Sequence, residues 1–183
     1  MYYITNYASP VGELTLVSEG THLVGLWIEG QKYHGASLLS PLSEVEPGGK
    51  ELSIFSQTKE WLDRYFQGKK PDPAQLSLSP IGSAFRQRVW QHLRNIPYGE
   101  LTSYGAIAKK IALEFGKKSM SGQAVGGAVG HNPISIIIPC HRVVGTNGSL
   151  TGYAGGLDVK IKLLALEGVD LSDLSIPTNG TAL

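Results

Sequence analysis

The chain is organised around the stretch Asn132-Pro133-Ile134-Ser135-Ile136-Ile137-Ile138-Pro139-Cys140-His141-Arg142-Val143-Val144-Gly145. Its β-branched run from Ile134 to Ile138 is too short for a helix of its own and reads as a buried strand. Pro139 has no N–H to give to a ladder and ends that strand. The one cysteine of the chain comes next, followed by a histidine and an arginine. A thiol placed where a rigid apolar segment stops and ionisable side chains begin is in a setting that makes nucleophiles. Taken singly, each residue has a plainer reading: a small buried hydrophobe for Cys140, a hydrogen-bonded core histidine for His141, an ion pair for Arg142. The whole string, behind Asn132-Pro133, favours chemistry.

A free thiol titrates near pH 8.5, so little of it is thiolate at neutral pH. A histidine that takes its proton, directly or through a water, raises the reactive fraction, and a carboxylate behind the histidine fixes its tautomer. Neighbouring residues on an extended chain point in opposite directions. Contact between Cys140 and His141 therefore needs a turn, which Pro139 favours, or a bridging water. Two later carboxylates could serve the histidine. Glu167 closes an amphipathic helix from about Leu157, with Ile161, Leu164 and Ala165 inward, and Asp158 opens it.

Upstream, Phe85, Val89, Trp90, Leu93 and Ile96 share one helical face, ending at Pro97-Tyr98-Gly99-Glu100. Thr102 is the expected N-cap of a helix through Tyr104, Ile107, Ala108 and Ile111. After a loop around Gly116 to Ser119, Ser121 to Gly130 is built almost wholly of small residues. Glycine costs about 1 kcal/mol against alanine in a helix, so four in one short segment need a reason, such as close approach to something bulky. Two short helices joined by a turn fit a helix-turn-helix with its second helix in a DNA groove. A tightly packed core helix or a loop remains the alternative.

The remainder frames this region. Tyr2 to Tyr7, Glu13 to Ser18 and His22 to Ile28 read as a small antiparallel sheet, residues 29–50 as loop, and Glu51 to Phe66 as an amphipathic helix. Lys69 to Pro80, with three prolines, reads as a linker, and Val169 to Leu183 as a loosely ordered tail. The domains expected are thus an α/β domain over 1–75, a mainly α domain over 76–170 and a flexible tail over 171–183. With 183 residues and 42% hydrophobic content the chain can bury a real core. A single cysteine rules out an internal disulfide and a thiolate metal cluster, and no apolar run or basic-then-apolar leader stands out, so a cytoplasmic protein is expected. The net charge of +1 divides unevenly: residues 1–80 sum to −3, residues 81–168 to +6 and residues 169–183 to −2. The basic segment points to an anionic partner.

Pro139-Cys140-His141-Arg142-Val143-Val144 resembles the signature of the O6-alkylguanine-DNA alkyltransferases, the methylated-DNA–protein-cysteine methyltransferases. Phe85 to Trp90, Pro97-Tyr98-Gly99-Glu100, Ser103-Tyr104, Ala124 to Ala128, Asn132-Pro133 and Gly152 to Gly156 look like further blocks of that family, in family order. The resemblance covers about residues 80–168. It implies an RNase H-like first domain, a winged helix-turn-helix in the second, and repair of double-stranded DNA containing O6-alkylguanine by a monomer without metal or organic cofactor. The alkyl group would pass irreversibly to Cys140 once the damaged base has been flipped from the duplex. By matching position, His141 would be the base through a water and Glu167 its orienting carboxylate. Asn132 would hold the thiol-bearing turn, and Tyr104 would press on the target phosphate and donate toward the guanine ring. Tyr153, Ala154, Gly155 and Ser135 would line the base pocket, and Ser103, Tyr104, Gln123, Ala124, Gly126 and Gly127 would meet DNA.

The chain departs from the family pattern where Gln123 stands in place of an arginine that fills the duplex. The longer stretch between Tyr104 and Gln123 also brings Lys117 and Lys118 into a loop that could meet phosphates. Cysteines for a structural zinc are absent. A non-catalytic lesion-binding protein, a regulatory helix-turn-helix module and an unrelated cysteine hydrolase are the competing readings. A protein of the first kind would lack the cysteine, which this chain keeps.

Overall fold

The computed structural model describes residues 1–40, 46–47 and 52–176. They divide into two compact units, one of residues 1–82 with Pro133–Ile137, the other of residues 83–132 with 138–183.

In the first unit β1 (Tyr3–Ser9), β2 (Gly12–Ser18) and β3 (Leu23–Ile28) form the expected antiparallel meander. Within the stretch read as loop, β4 (Glu46–Pro47) pairs in parallel with β1, giving the order β3-β2-β1-β4. A two-residue edge strand carries no periodicity by which a sequence reading could find it. Every residue of β3 is buried, so both of its faces are covered and its sequence is a continuous apolar run rather than an alternation. Gly25 makes room for Trp27, whose indole lies where a Cβ at position 25 would fall. The helix α1 (Ser53–Phe66) buries Ile54, Phe55, Trp61, Leu62 and Tyr65, and Tyr7 donates to Asp63 of this helix at 2.6 Å.

The outer edge of β3 is covered by two short segments. Leu78 bridges to Leu23, and Ile134 bridges to Leu26 through Leu26 N–H to Pro133 O at 2.8 Å and Ser135 N–H to Leu26 O at 2.9 Å. The proline-rich 69–80 stretch is therefore laddered to the sheet. Its start is held by Trp61 Nε1–H, which donates to Asp72 O at 3.1 Å.

The isoleucine run corrects the expectation of a strand. It is buried throughout, but pairing stops after one bridge, and Ser135 to Ile137 form a turn. Ile137 N–H closes back on Ser135 O at 2.8 Å, and Ile136 sits at φ 70°, a region β-branched residues rarely enter. The residues are apolar because their surroundings are.

The second unit begins with α2 (Ala84–Arg94), then β5 (Thr102–Ser103), α3 (Tyr104–Glu114) and α4 (Gly122–Gly130). Serine caps each helix: Ser83, Ser103 and Ser121 accept from Arg86, Ala106 and Ala124 N–H respectively. The N-cap of α3 is thus Ser103, not Thr102, which pairs in β5 with Val143 of β6 (Val143–Val144). The three helices pack together, with Trp90 Nε1–H donating to Ala128 O at 2.9 Å. The last helix, α5 (Leu157–Leu166), buries Lys160, Leu163 and Leu164, while Ala165 is exposed, contrary to expectation.

Nor does the chain loosen directly after α5. Val169, Leu171 and Leu174 pack on Val144, Leu150 and Leu164, and Leu150 N–H donates to Ser175 O at 2.9 Å. Residues 177–183 of the expected tail lie outside the described residues.

Replacing Gly25 by alanine should cost about 1–3 kcal/mol, because the added methyl displaces Trp27 in a filled core. Chemical denaturation measures this, and an unchanged midpoint would contradict the packing.

Candidate active site

Asn132 follows α4 directly and is 2% exposed. Its Nδ2–H group donates to Ile138 O at 2.7 Å and to Cys140 Sγ at 3.0 Å. One side chain thus fixes both the carbonyl before the turn and the sulfur on it. Cys140–Arg142 form a single 3-10 turn, entered through a Cys140 N–H bond to Ile138 O at 2.8 Å. The turn that contact between adjacent Cys140 and His141 requires is therefore present. Burial pushes the Cys140 thiol up, while the Asn132 hydrogen bond, the charge of Lys160 and backbone amides act against it.

His141 is wholly buried, and its Nε2 lies 2.7 Å from Glu167 Oε1. Of the two carboxylates the sequence left open, Glu167 is the one against the imidazole, and Asp158 is exposed on the first turn of α5. Arg142 grips the same carboxylate bidentately, Nε to Oε2 at 2.8 Å and Nη2 to Oε1 at 2.9 Å, and its Nη1 donates to Ile96 O at 2.6 Å. Gly99 N–H adds a bond to Oε2 at 3.1 Å. Gly99 has φ 78°, and a Cβ there would come within 2.9 Å of Glu167 O, so only glycine suits this approach. Burial opposes ionisation of Glu167, but its bonds with His141 and Arg142 outweigh that and hold the carboxyl well below the usual range. Burial lowers His141 in spite of Glu167, so the neutral imidazole is favoured.

Tyr104, the first residue of α3, donates its hydroxyl to Thr151 O at 3.0 Å and Gly152 O at 3.2 Å. Gly152, at φ 76°, leaves the room: its Cβ would lie 2.9 Å from the phenol oxygen. Burial and the Cys140 sulfur push the phenol well above its ordinary value. Tyr153 is buried and meets the His141 ring edge-on at 6.5 Å, and Ala154 and Gly155 follow it half-buried.

Among the residues expected to meet DNA, Gln123, Ala124 and Gly127 are exposed on α4, while Ser103 is occupied as the cap of α3. A Cβ at Gly122, Gly127 or Gly130 would meet nothing within 4 Å. Internal packing therefore demands none of these three glycines. Ser135 falls in the first unit, where its hydroxyl lies 2.9 Å from Gln31 Oε1.

Sequence reasoning gave Arg142 no role beyond an ion pair and overlooked Lys160. The signal was readable, since Lys160, Leu163, Leu164 and Glu167 recur at i, i+3, i+4 and i+7 and so share one helical face. Among the described residues no group of three or more His, Cys, Asp or Glu is placed to hold a metal ion, and no helix is long and apolar enough to cross a membrane.

Two family models match consecutive parts of the chain. One is the 6-O-methylguanine DNA methyltransferase ribonuclease-like domain, over residues 1–80. The other is the DNA binding domain of the same proteins, over residues 84–169. A methylated-DNA–protein-cysteine methyltransferase of Haemophilus influenzae is 41% identical, the match covering 93% of this chain and 89% of the relative. One from Methanosarcina acetivorans is also 41% identical, covering 92% and 99%. The crystal structure of Mycobacterium tuberculosis OGT in complex with DNA superposes with a TM-score of 0.74 at 40% identity, covering 91% of each chain.

Replacing Glu167 by glutamine should cost about 3 kcal/mol, because Arg142 would stay buried without its anion. The pH dependence has a definite sign. Both His141 and Glu167 are lowered by folding, so the stability they contribute is present above their unfolded values and lost as pH falls through the folded ones. Urea midpoints should decline below about pH 6.5 as His141 is forced to charge, and fall further below about pH 4 with Glu167. A midpoint constant from pH 8 to pH 4 would contradict this.

Proposed function

The chain belongs to the 6-O-methylguanine DNA methyltransferase family, and from that premise we propose that it repairs double-stranded DNA by moving an alkyl group from guanine O6 irreversibly to its own Cys140. The observation that carries the reading is the buried thiol 3.0 Å from Asn132, beside an imidazole held 2.7 Å from Glu167. In this reading Cys140 is the nucleophile, His141 the base and Glu167 its orienting carboxylate, the set that covalent catalysis requires.

In this reading the damaged nucleotide leaves the stack, since its O6 substituent cannot be reached inside the duplex. The Cys140 proton passes through a water to His141 Nδ1, because Nε2 is committed to Glu167. The thiolate attacks the alkyl carbon, a sulfur–carbon bond forms, and the carbon–O6 bond breaks with its electrons going to guanine. Tyr104 donates toward the ring as that charge leaves, exchanging its bonds to Thr151 and Gly152 carbonyls for one to the base. Tyr153, Ala154 and Gly155 wall the pocket. A thioether has no leaving group for water to displace, so each chain acts once.

The second unit is read as a winged helix-turn-helix in which α3 and α4 are the two helices, and the first unit as RNase H-like. The exposed glycines of α4 support a groove-facing role, because each sacrifices helix stability for no internal contact. Gln123, near the start of α4, would hydrogen-bond the base orphaned by flipping, and Ala124, Gly126 and Gly127 would face the groove. We take the protein to act as a cytoplasmic monomer without metal or cofactor.

Intact mass after incubation with duplex carrying O6-methylguanine should rise by one methylene, located on the Cys140 peptide and absent in Cys140→Ser. An unshifted wild-type mass would sink the reading. Tyr104→Phe and His141→Gln should bind the duplex yet react at least roughly 100-fold more slowly, the usual weight of general acid–base groups; wild-type rates would refute those roles. Gly127→Ala should stabilise α4 by up to about 1 kcal/mol while weakening duplex binding. Tighter or equal binding would show that α4 does not face DNA. Gln123→Ala should lower repair only in part, and a complete loss would give Gln123 a larger share in flipping.

A further inference from the structure

Lys160 is 0% exposed on the inner face of α5. Its Nζ donates to Val143 O at 2.6 Å and to Thr151 O at 3.1 Å. Among the described residues no carboxylate forms an ion pair with it. A buried cation satisfied only by carbonyl dipoles is costly, and a methionine or leucine would fill the same helical face more cheaply. Its placement offers a reason. Val143 directly follows the Cys140–Arg142 turn, and Thr151 O is the acceptor that Tyr104 also uses. One ammonium thus joins the chain after the acceptor, the start of the pocket wall and the carbonyl that holds the phenol.

We infer that Lys160 is a positioning residue of this site: its ammonium clamps the acceptor turn to the pocket wall and supplies the positive charge that favours the Cys140 thiolate. The inference rests on the alkyl-transfer reading. The titratable groups that interact with it are Cys140 and His141, Tyr104 shares the Thr151 carbonyl with it, and His141 is in turn paired with Glu167, which Arg142 holds. Arg142 is already matched by Glu167, which leaves the developing thiolate as the anion that Lys160 answers. Burial brings Lys160 itself down to about 8, with the sulfur acting in the opposite direction. Lys160 and Arg142 also act against protonation of His141, and Glu167 offsets them. The lysine exchanges no atoms in the transfer.

The test is the pH dependence of Cys140 alkylation by iodoacetamide in the full chain without DNA, compared with the transfer rate from O6-methylguanine duplex. Lys160→Met removes donor and charge, Lys160→Gln keeps a donor without the charge, and Lys160→Arg keeps the charge. The thiol titration should rise by about one unit in the Met and Gln variants, a roughly tenfold loss of thiolate below the titration, and stay with wild type in the Arg variant. Transfer should slow in parallel, the deficit closing as pH rises. Where Lys160→Met fails to fold, Lys160→Gln carries the test. An unchanged thiol titration in folded Lys160→Gln, or an equal rise in Lys160→Arg, would overturn the inference. A wild-type chain that takes iodoacetamide but no methyl from the duplex would instead refute the alkyl-transfer reading, leaving the thiol titration to judge Lys160.

Discussion

The second unit depends on one buried carboxylate. Glu167 accepts from His141, twice from Arg142 and once from the Gly99 amide, at 2.7 to 3.1 Å. Through those bonds the end of α5 is tied to the Cys140–Arg142 turn and to the Ile96–Glu100 segment, where Arg142 also holds Ile96 O and Tyr98 donates to Leu166 O at 3.1 Å. A buried carboxylate alone would be neutralised by taking up a proton. Arg142 keeps it charged, and the charge in turn keeps the His141 proton on Nε2, the nitrogen that meets the carboxylate. Removing Glu167 would leave Arg142 buried without its anion and His141 without its partner, so the stability of the unit and the setting of His141 rest on the same network.

The cysteine is also held by Asn132, and between the two the chain makes an excursion. After Asn132 it leaves the second unit, lends Pro133–Ile137 to the first, and returns at Ile138, whose carbonyl Asn132 binds. Ile136 is held at φ 70° within that excursion, a conformation that costs on the order of 1–3 kcal/mol. The excursion closes with Cys140 two residues past the returning Ile138, its sulfur against the same amide.

Periodicity over many residues made β1, β2, β3, α1, α2 and α3 legible, because burial of a face constrains every second or every third and fourth side chain. The family was legible from the Cys140-His141-Arg142 string for a different reason: a thiol, an imidazole and a guanidinium on consecutive positions have few uses together. The isoleucine run misled because a short apolar stretch reports burial, not conformation, and a strand and a buried turn are equally apolar. The inner face of α5 was misjudged by expecting Ala165 inside and passing over Lys160, since a lysine is seldom buried without a carboxylate. Glu167 could not be separated from Asp158 by sequence, for both flank the same helix and only the path of the acceptor turn decides between them. The packing of Leu171 and Leu174 escaped notice because two leucines in a polar tail carry no period.

The central claim is that Cys140 is an acceptor consumed once. The direct measurement is the number of repaired guanines per chain when duplex containing O6-methylguanine is in large excess. The account requires a rise to one repaired base per protein chain and then a plateau that longer incubation does not lift. Continued repair beyond that equivalent would mean that the thioether is turned over and would contradict it.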